Sequence, residues 1–187
     1  MAFSVTQFAA QGLPFGGARP SLFEVDIQTP TGVDNVADVM RFVVQGAQIP
    51  AATVASIDVP YFGRQVKVAG NRTFADWTPT ILNDEDFRVR NAMEQWSNKI
   101  NSFQSNLREG TNLLGEYRTL ANVTQFSKTG AKLRTYRFVN IFPTEVSTID
   151  LSWETDAIET FTVNFVYDYW EVTDSSSGLN LNVNFSL

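Results

Sequence analysis

The 187-residue sequence contains no cysteine and no histidine. Without these two residues there is no thiolate nucleophile and no Cys/His zinc site. There is also no Ser-His-Asp triad and no imidazole proton shuttle. No disulfide supports the fold, which suits a reducing cytoplasm. Positive charge is scarce and scattered: 14 basic residues face 20 acidic ones, a formal charge of -6. The Arg residues from Arg64 to Arg134 are dispersed among acids and apolar residues. Such a chain is ill suited to specific binding of a phosphate backbone, although not to passive handling of nucleic acid. No apolar run approaches the roughly 20 residues a membrane helix needs, so no membrane anchor is expected. The first positive charge is Arg19, and the N-terminal stretch does not read as a signal peptide. The Asn-x-Ser/Thr matches at Asn71, Asn122 and Asn184 then read as chance.

What is present is aromatic and apolar. The 15 Phe, 5 Tyr and 4 Trp, within 43% hydrophobic residues, are enough for one domain with a real core and no staples. Residues 1–20 read as an arm, punctuated by Gly12, Pro14, Gly16, Gly17 and Pro20. Its apolar Phe3, Val5, Phe8, Leu13 and Phe15 suggest that it docks on its own domain or on a neighbour. The domain proper spans 21–172. Phe23, Val25 and Ile27 alternate with Glu24, Asp26 and Gln28, which predicts a half-buried strand. Further strands are predicted at 39–45, 53–59, 65–69, 73–82, 120–127, 132–142 and 148–153. Residues 53–69 form a projecting hairpin through Pro60, Tyr61, Phe62 and Gly63. Pro79 argues for an edge or break, and Pro143 for a strand end. Residues 157–172 carry the longest strand signal, one that must bend or serve a large sheet. The extension 173–187 alternates Leu179, Leu181, Val183, Phe185 and Leu187 with Asn180, Asn182, Asn184 and Ser186. That pattern suits a strand added to an exposed edge, in cis or in trans.

One segment reads as a helix, 84–103. Asn83 is placed to cap it, and Asp84, Glu85 and Asp86 fall in its first turn. Val89, Met93, Trp96, Ile100 and Phe103 share one face. That stripe either covers the domain's own sheet or makes a subunit contact. The first is favoured, because a lone amphipathic helix in a mostly β domain needs a sheet to cover.

No catalytic constellation emerges. The acids at 84–86 read as capping rather than a metal site, and Asp150, Glu154, Asp156 and Glu159 as a solvated turn. No phosphate-loop or dinucleotide motif occurs, and Lys99, Lys128 and Lys132 sit in no activating motif. No cofactor, metal or catalytic residue is assigned. A mainly β domain with one helix, apolar arms and a projecting hairpin suits an assembly subunit, since exposed edges become useful when a neighbour covers them.

Two stretches go further. Residues 60–102 read PYFGRQVKVAGNRTFADWTPTILNDEDFRVRNAMEQWSNKINS. They resemble the tail-tube proteins of contractile-tailed bacteriophages. The matching points are Tyr61, Gly63 and Arg64; Gly70, Arg72, Thr73 and Phe74; Trp77 and Thr78; Asn83, Asp84, Glu85 and Phe87; Glu94 and Trp96. Residues 136–170 are similar to the family's C-terminal half through Phe142, Pro143, Leu151 and the closing run from Tyr167 to Trp170. With the strand region near 21–45, the likeness covers 20–172. The arm, the tail and Pro79 depart from the pattern.

The resemblance implies a β-sandwich or barrel-like tube subunit whose inner sheet joins those of its neighbours. It implies homo-hexameric rings stacked into a hollow conduit, with a contractile sheath outside and a baseplate or tube initiator and a terminator at the ends. DNA would pass through without specific binding, and the protein would reside in the virion tail after assembly in the host cytoplasm. Candidate ring-stacking contacts are then Tyr61, Phe62, Arg64 and Arg72; the alternative is that Tyr61 and Phe62 pack on their own domain. Candidate lumen or wet-face residues are Glu24, Asp26, Thr160, Thr162, Asn164 and Asp168. Leu179, Leu181, Val183 and Phe185 are candidate terminal-strand contacts. A tube initiator or baseplate-proximal ring, or the tube of a related contractile injection system, would share the same motifs. A monomeric soluble β binding module would instead show a formed pocket and no self-assembly.

Overall fold

In the computed structural model, residues 4, 7–13, 16–108, 114–154 and 156–175 are described. The alternation at the start of the domain becomes β1 (Phe23–Ile27), with Val25 and Ile27 buried and Glu24 and Asp26 turned away from the core. β1 pairs antiparallel with β6 (Thr119–Phe126), and β6 with β7 (Lys132–Val146). β8 (Thr160–Val166) and β9 (Tyr169–Ser175) both run antiparallel along β7. Val166 lies opposite Phe142 and Tyr169 opposite Val139, so the two strands keep one register across a break. At that break Asp168 N–H donates to the Val139 carbonyl at 3.1 Å, and Asn140 adopts a left-handed φ of 59°. The long strand signal thus bends and also serves a large sheet. β5 (Thr80–Leu82) pairs β8, and β2 (Val44–Gly46) pairs β5. The result is a seven-stranded sheet ordered β1-β6-β7-β8-β5-β2, with β9 beside β7, which curls into a half-barrel.

A single cluster of buried side chains draws on these strands and both helices. Trp77 sits at its centre, stacked on Phe138 at 4.8 Å and tilted against Phe165 at 5.6 Å. Trp96 reaches the same Phe165 ring at 6.2 Å and donates its indole N–H to the Tyr117 carbonyl at 2.8 Å. Burying such large aromatics contributes roughly 2–3 kcal/mol each.

Several expectations are corrected. Residues 39–45 are not a strand: α1 (Ala37–Val43) occupies most of that segment. Its valines suggest a strand, yet Val36, Met40 and Val44 recur every four residues and are all buried. The main helix, α2 (Arg88–Ile100), is shorter than 84–103. Asn83 does not cap it, but donates to Glu159 instead. Asp84 does that work from upstream, accepting the Arg88 backbone N–H at 3.0 Å and binding Arg88 Nε at 3.0 Å. Val89, Ala92, Met93 and Trp96 are buried against the domain's own sheet, whereas Phe103 lies beyond the helix and is exposed. Pro143 does not end its strand. It sits inside β7, where β6 has already ended opposite Ile141 and where the pairing with β8 shifts register. An edge with a bulge is where a missing N–H is tolerated. Residues 148–153 are a loop, and the 73–82 stretch divides between the end of β4, a bridge from Trp77 to Phe165, and β5.

Candidate assembly surfaces

Residues 52–74 leave the main sheet entirely. Among the described residues, β3 (Ala52–Tyr61) and β4 (Arg64–Phe74) pair only with each other. At about 3.3 Å per residue the ribbon reaches roughly 30 Å from root to tip. Every residue of β3 is exposed. The strand pairs place Ile57 opposite Val68 and Val59 opposite Val66 on one face. Asp58 lies opposite Lys67 on the other, joined by a 2.8 Å ion pair. The ribbon is therefore amphipathic, and among the described residues none covers its apolar side. A bulge between Val54 and Ser56 breaks the register near Gly70. A Cβ on Gly70 would lie 3.2 Å from the Ala55 carbonyl oxygen, so glycine permits the close approach there.

The tip turns through Phe62 and Gly63, with φ of 44° and 73°. Two left-handed residues make the turn whose twist matches a hairpin, and Asn-Gly is its preferred sequence. A phenylalanine in the first position costs about 1 kcal/mol of backbone strain. It is 90% exposed and its ring meets Tyr61 edge-on at 4.7 Å. Tyr61, Phe62 and Arg64 thus gather at the tip, and both aromatics project into solvent. Arg72 lies near the root, opposite Val54.

The root is pinned to the domain. The Tyr167 hydroxyl donates to the Ala75 carbonyl at 2.6 Å. Its pKa is pushed up to about 12, first by burial and then by the charge of Asp76. Phe74 adds ring contacts to Tyr167 and Trp170.

Among the described residues the curled sheet has three unfinished edges: β1 pairs only with β6, β9 only with β7, and β2 only with β5. On the face turned from the core, Asp26, Asn122, Arg137 and Glu171 form one cross-strand row. Arg137 reaches Glu171 at 3.9 Å, and Arg41 of α1 reaches Glu24 at 3.3 Å. Thr160, Thr162 and Asn164 alternate with buried Phe161, Val163 and Phe165 on β8, and so turn away from the core as well. Asn164 accepts from Thr78 at 3.0 Å and donates to Asp76 at 3.3 Å. Asp168 is held at the bend by Asn140 at 2.6 Å and Arg118 at 3.5 Å. Leu179, Leu181, Val183 and Phe185 lie outside the described residues.

The loop that joins β7 to β8, expected in part as a strand at 148–153 and in part as a solvated turn, exposes large apolar side chains that sequence reasoning did not single out as a surface. Trp153 in it is fully exposed, with Leu151 at 80% and Ile158 at 72%. Their signal in the sequence is large apolar residues interleaved with acids, Leu151 beside Asp150 and Trp153 beside Glu154. No group of three or more acids among the described residues could hold a metal ion, and no described helix is long and apolar enough to cross a membrane.

Open sheet edges, a polar outer face and an uncovered hairpin define a β-rich assembly subunit. The family model for phage tail tube protein matches residues 18–173, and the chain belongs to that family. It is 33% identical to tail tube protein gp19 of Enterobacteria phage T4, over 82% of this chain and 91% of that protein. The corresponding protein of Enterobacteria phage T6 is 32% identical over the same shares. The fold is also that of the anti-feeding prophage tube-terminating cap, with a TM-score of 0.63 over 85% of this chain and 92% of the other, at 16% identity. The sheath-tube complex of an extracellular contractile injection system gives a TM-score of 0.58, over 92% and 99%, at 15% identity. The chain is a tail tube subunit, a structural component of the virion tail and not an enzyme.

Proposed function

We propose that six copies close into a ring, and that rings stack into the hollow tube of a contractile tail through which DNA passes. The observation that carries the stacking is the hairpin 52–74, which extends from the domain with an apolar face and a strained aromatic tip left open to water. An uncovered ribbon of this length is a hazard in a monomer and an asset between rings. Tyr61, Phe62 and Arg64 are its leading contacts, with Arg72 acting nearer the root. The unpaired edges of β1 and β9 support ring closure by joining the sheets of neighbours. The terminal strand bearing Leu179, Leu181, Val183 and Phe185 adds to such an edge.

Glu24, Asp26, Thr160, Asn164 and Asp168 supply a polar wall. With each copy at a formal charge of -6, a ring repels the phosphate backbone, and DNA slides without adhering. A contractile sheath surrounds the tube, and initiator and terminator rings bound it.

Negative-stain electron microscopy of the purified protein across a concentration series tests this reading. Hollow rods or stacked six-fold rings are expected, alone or after purified baseplates are added. A monomer under both conditions overturns it. Copy number per particle separates the tube from an initiator ring, because a tube protein dominates by mass. Deleting 173–187 is expected to shorten the rods.

A further inference from the structure

The uncovered face of the hairpin asks for an occupant of matching chemistry. Ile57, Val59, Val66 and Val68 present about half their surface to water. A two-stranded ribbon is marginal in water unless something covers it. The ribbon is also net positive: Asp58 is set against Arg64, Lys67 and Arg72, and neither arginine meets an acid among the described residues. The loop 149–159 has the opposite character. Trp153, Leu151 and Ile158 project from it, beside Asp150, Glu154, Asp156 and Glu159. No Lys or Arg follows Arg137 in the sequence, so nothing along this loop offsets its charge.

We infer that the apolar face of the hairpin in one copy docks on the 149–159 loop of a second copy, with Arg64 and Arg72 set against Asp150, Glu154 and Asp156. The inference rests on the stacked-ring reading and names the segment that receives the hairpin. The placement supports it. The hairpin root is tied to Tyr167, just past one end of β8. The loop feeds into Thr160 at the other end, where Asn83 N–H donates to the Glu159 carbonyl. β8 spans about 23 Å, and no hydrogen bond, ion pair or ring contact among the described residues joins the two surfaces within one copy. Joined between copies, they make a head-to-tail contact, which propagates rather than closing a pair. Trp and Arg are favoured interface anchors, and the opposite charges set register and partner.

The absence of native cysteine makes a clean test possible. Copies carrying Val59→Cys are mixed with copies carrying Ser152→Cys, assembled, and oxidised gently. An intermolecular disulfide is expected, and none when Lys128→Cys replaces Ser152→Cys as an exposed control. In parallel, Glu154→Lys with Asp156→Lys is expected to raise the critical concentration for rods about tenfold. Adding Arg64→Glu and Arg72→Glu is expected to restore it. Rods without the cross-link and without the charge effect overturn this docking and leave the stacked tube standing. Absence of both rods and cross-link, with baseplates present, overturns the two together.

Discussion

Replacing Phe62 by asparagine separates the two things a residue can do at the hairpin tip. Phe62 holds a φ of 44° beside Gly63 at 73°. That conformation costs a bulky residue about 1 kcal/mol, and asparagine adopts it readily. Phe62 is 90% exposed and touches little beyond Tyr61, so the domain core loses nothing with its ring. The urea midpoint of the isolated subunit should therefore hold or rise slightly. Assembly should respond in the opposite direction. Burying an aromatic ring between copies contributes about 2 kcal/mol. Losing it raises the critical concentration for rods roughly thirtyfold, at tenfold per 1.4 kcal/mol. Both quantities come from one protein preparation, by urea titration and by sedimentation across a dilution series. A lowered urea midpoint with unchanged assembly would refute the reasoning, because it would mean that the ring packs on its own domain.

Other outcomes follow from the same geometry. Trp96→Phe leaves the buried Tyr117 carbonyl without its 2.8 Å donor and opens a small void, so urea unfolding should show a loss of about 1–3 kcal/mol. Asp84→Ala removes the acceptor for the Arg88 N–H and should cost about 1 kcal/mol by the same assay. Tyr167 has a folded pKa pushed up to about 12 against an ordinary value of 10.0. The folded state therefore favours the protonated phenol. Its contribution to stability is complete below pH 10 and is lost as pH rises from 10 towards 12. Tyr167→Phe should flatten stability against pH over that window, measured by denaturant titration at each pH.

The sequence made the sheet legible where one face is wet and the other dry. Val25 and Ile27 in β1, and Phe161, Val163 and Phe165 in β8, announce their strands because a period of two survives intact. The α2 stripe was equally plain. The strand expected at 39–45 gives way to a helix over most of its length because β-branched residues outweigh, in the sequence, a spacing of four that only burial makes visible. Pro143 misled for a related reason: a proline forbids a central ladder position, but where β6 ends is decided by tertiary pairing.

By itself the sequence determined the chemistry that is absent, the mainly β class, the helix stripe and the family likeness, because these depend on residue identity and local period. Only the tertiary structure decided which apolar faces find cover. Period shows that Ile57 and Val59 share a strand face as surely as it shows that Val25 and Ile27 do. Yet the first pair lies open on a free ribbon and the second is buried in the core. Burial depends on what the rest of the chain brings to that face, and the pattern along one strand carries no record of it.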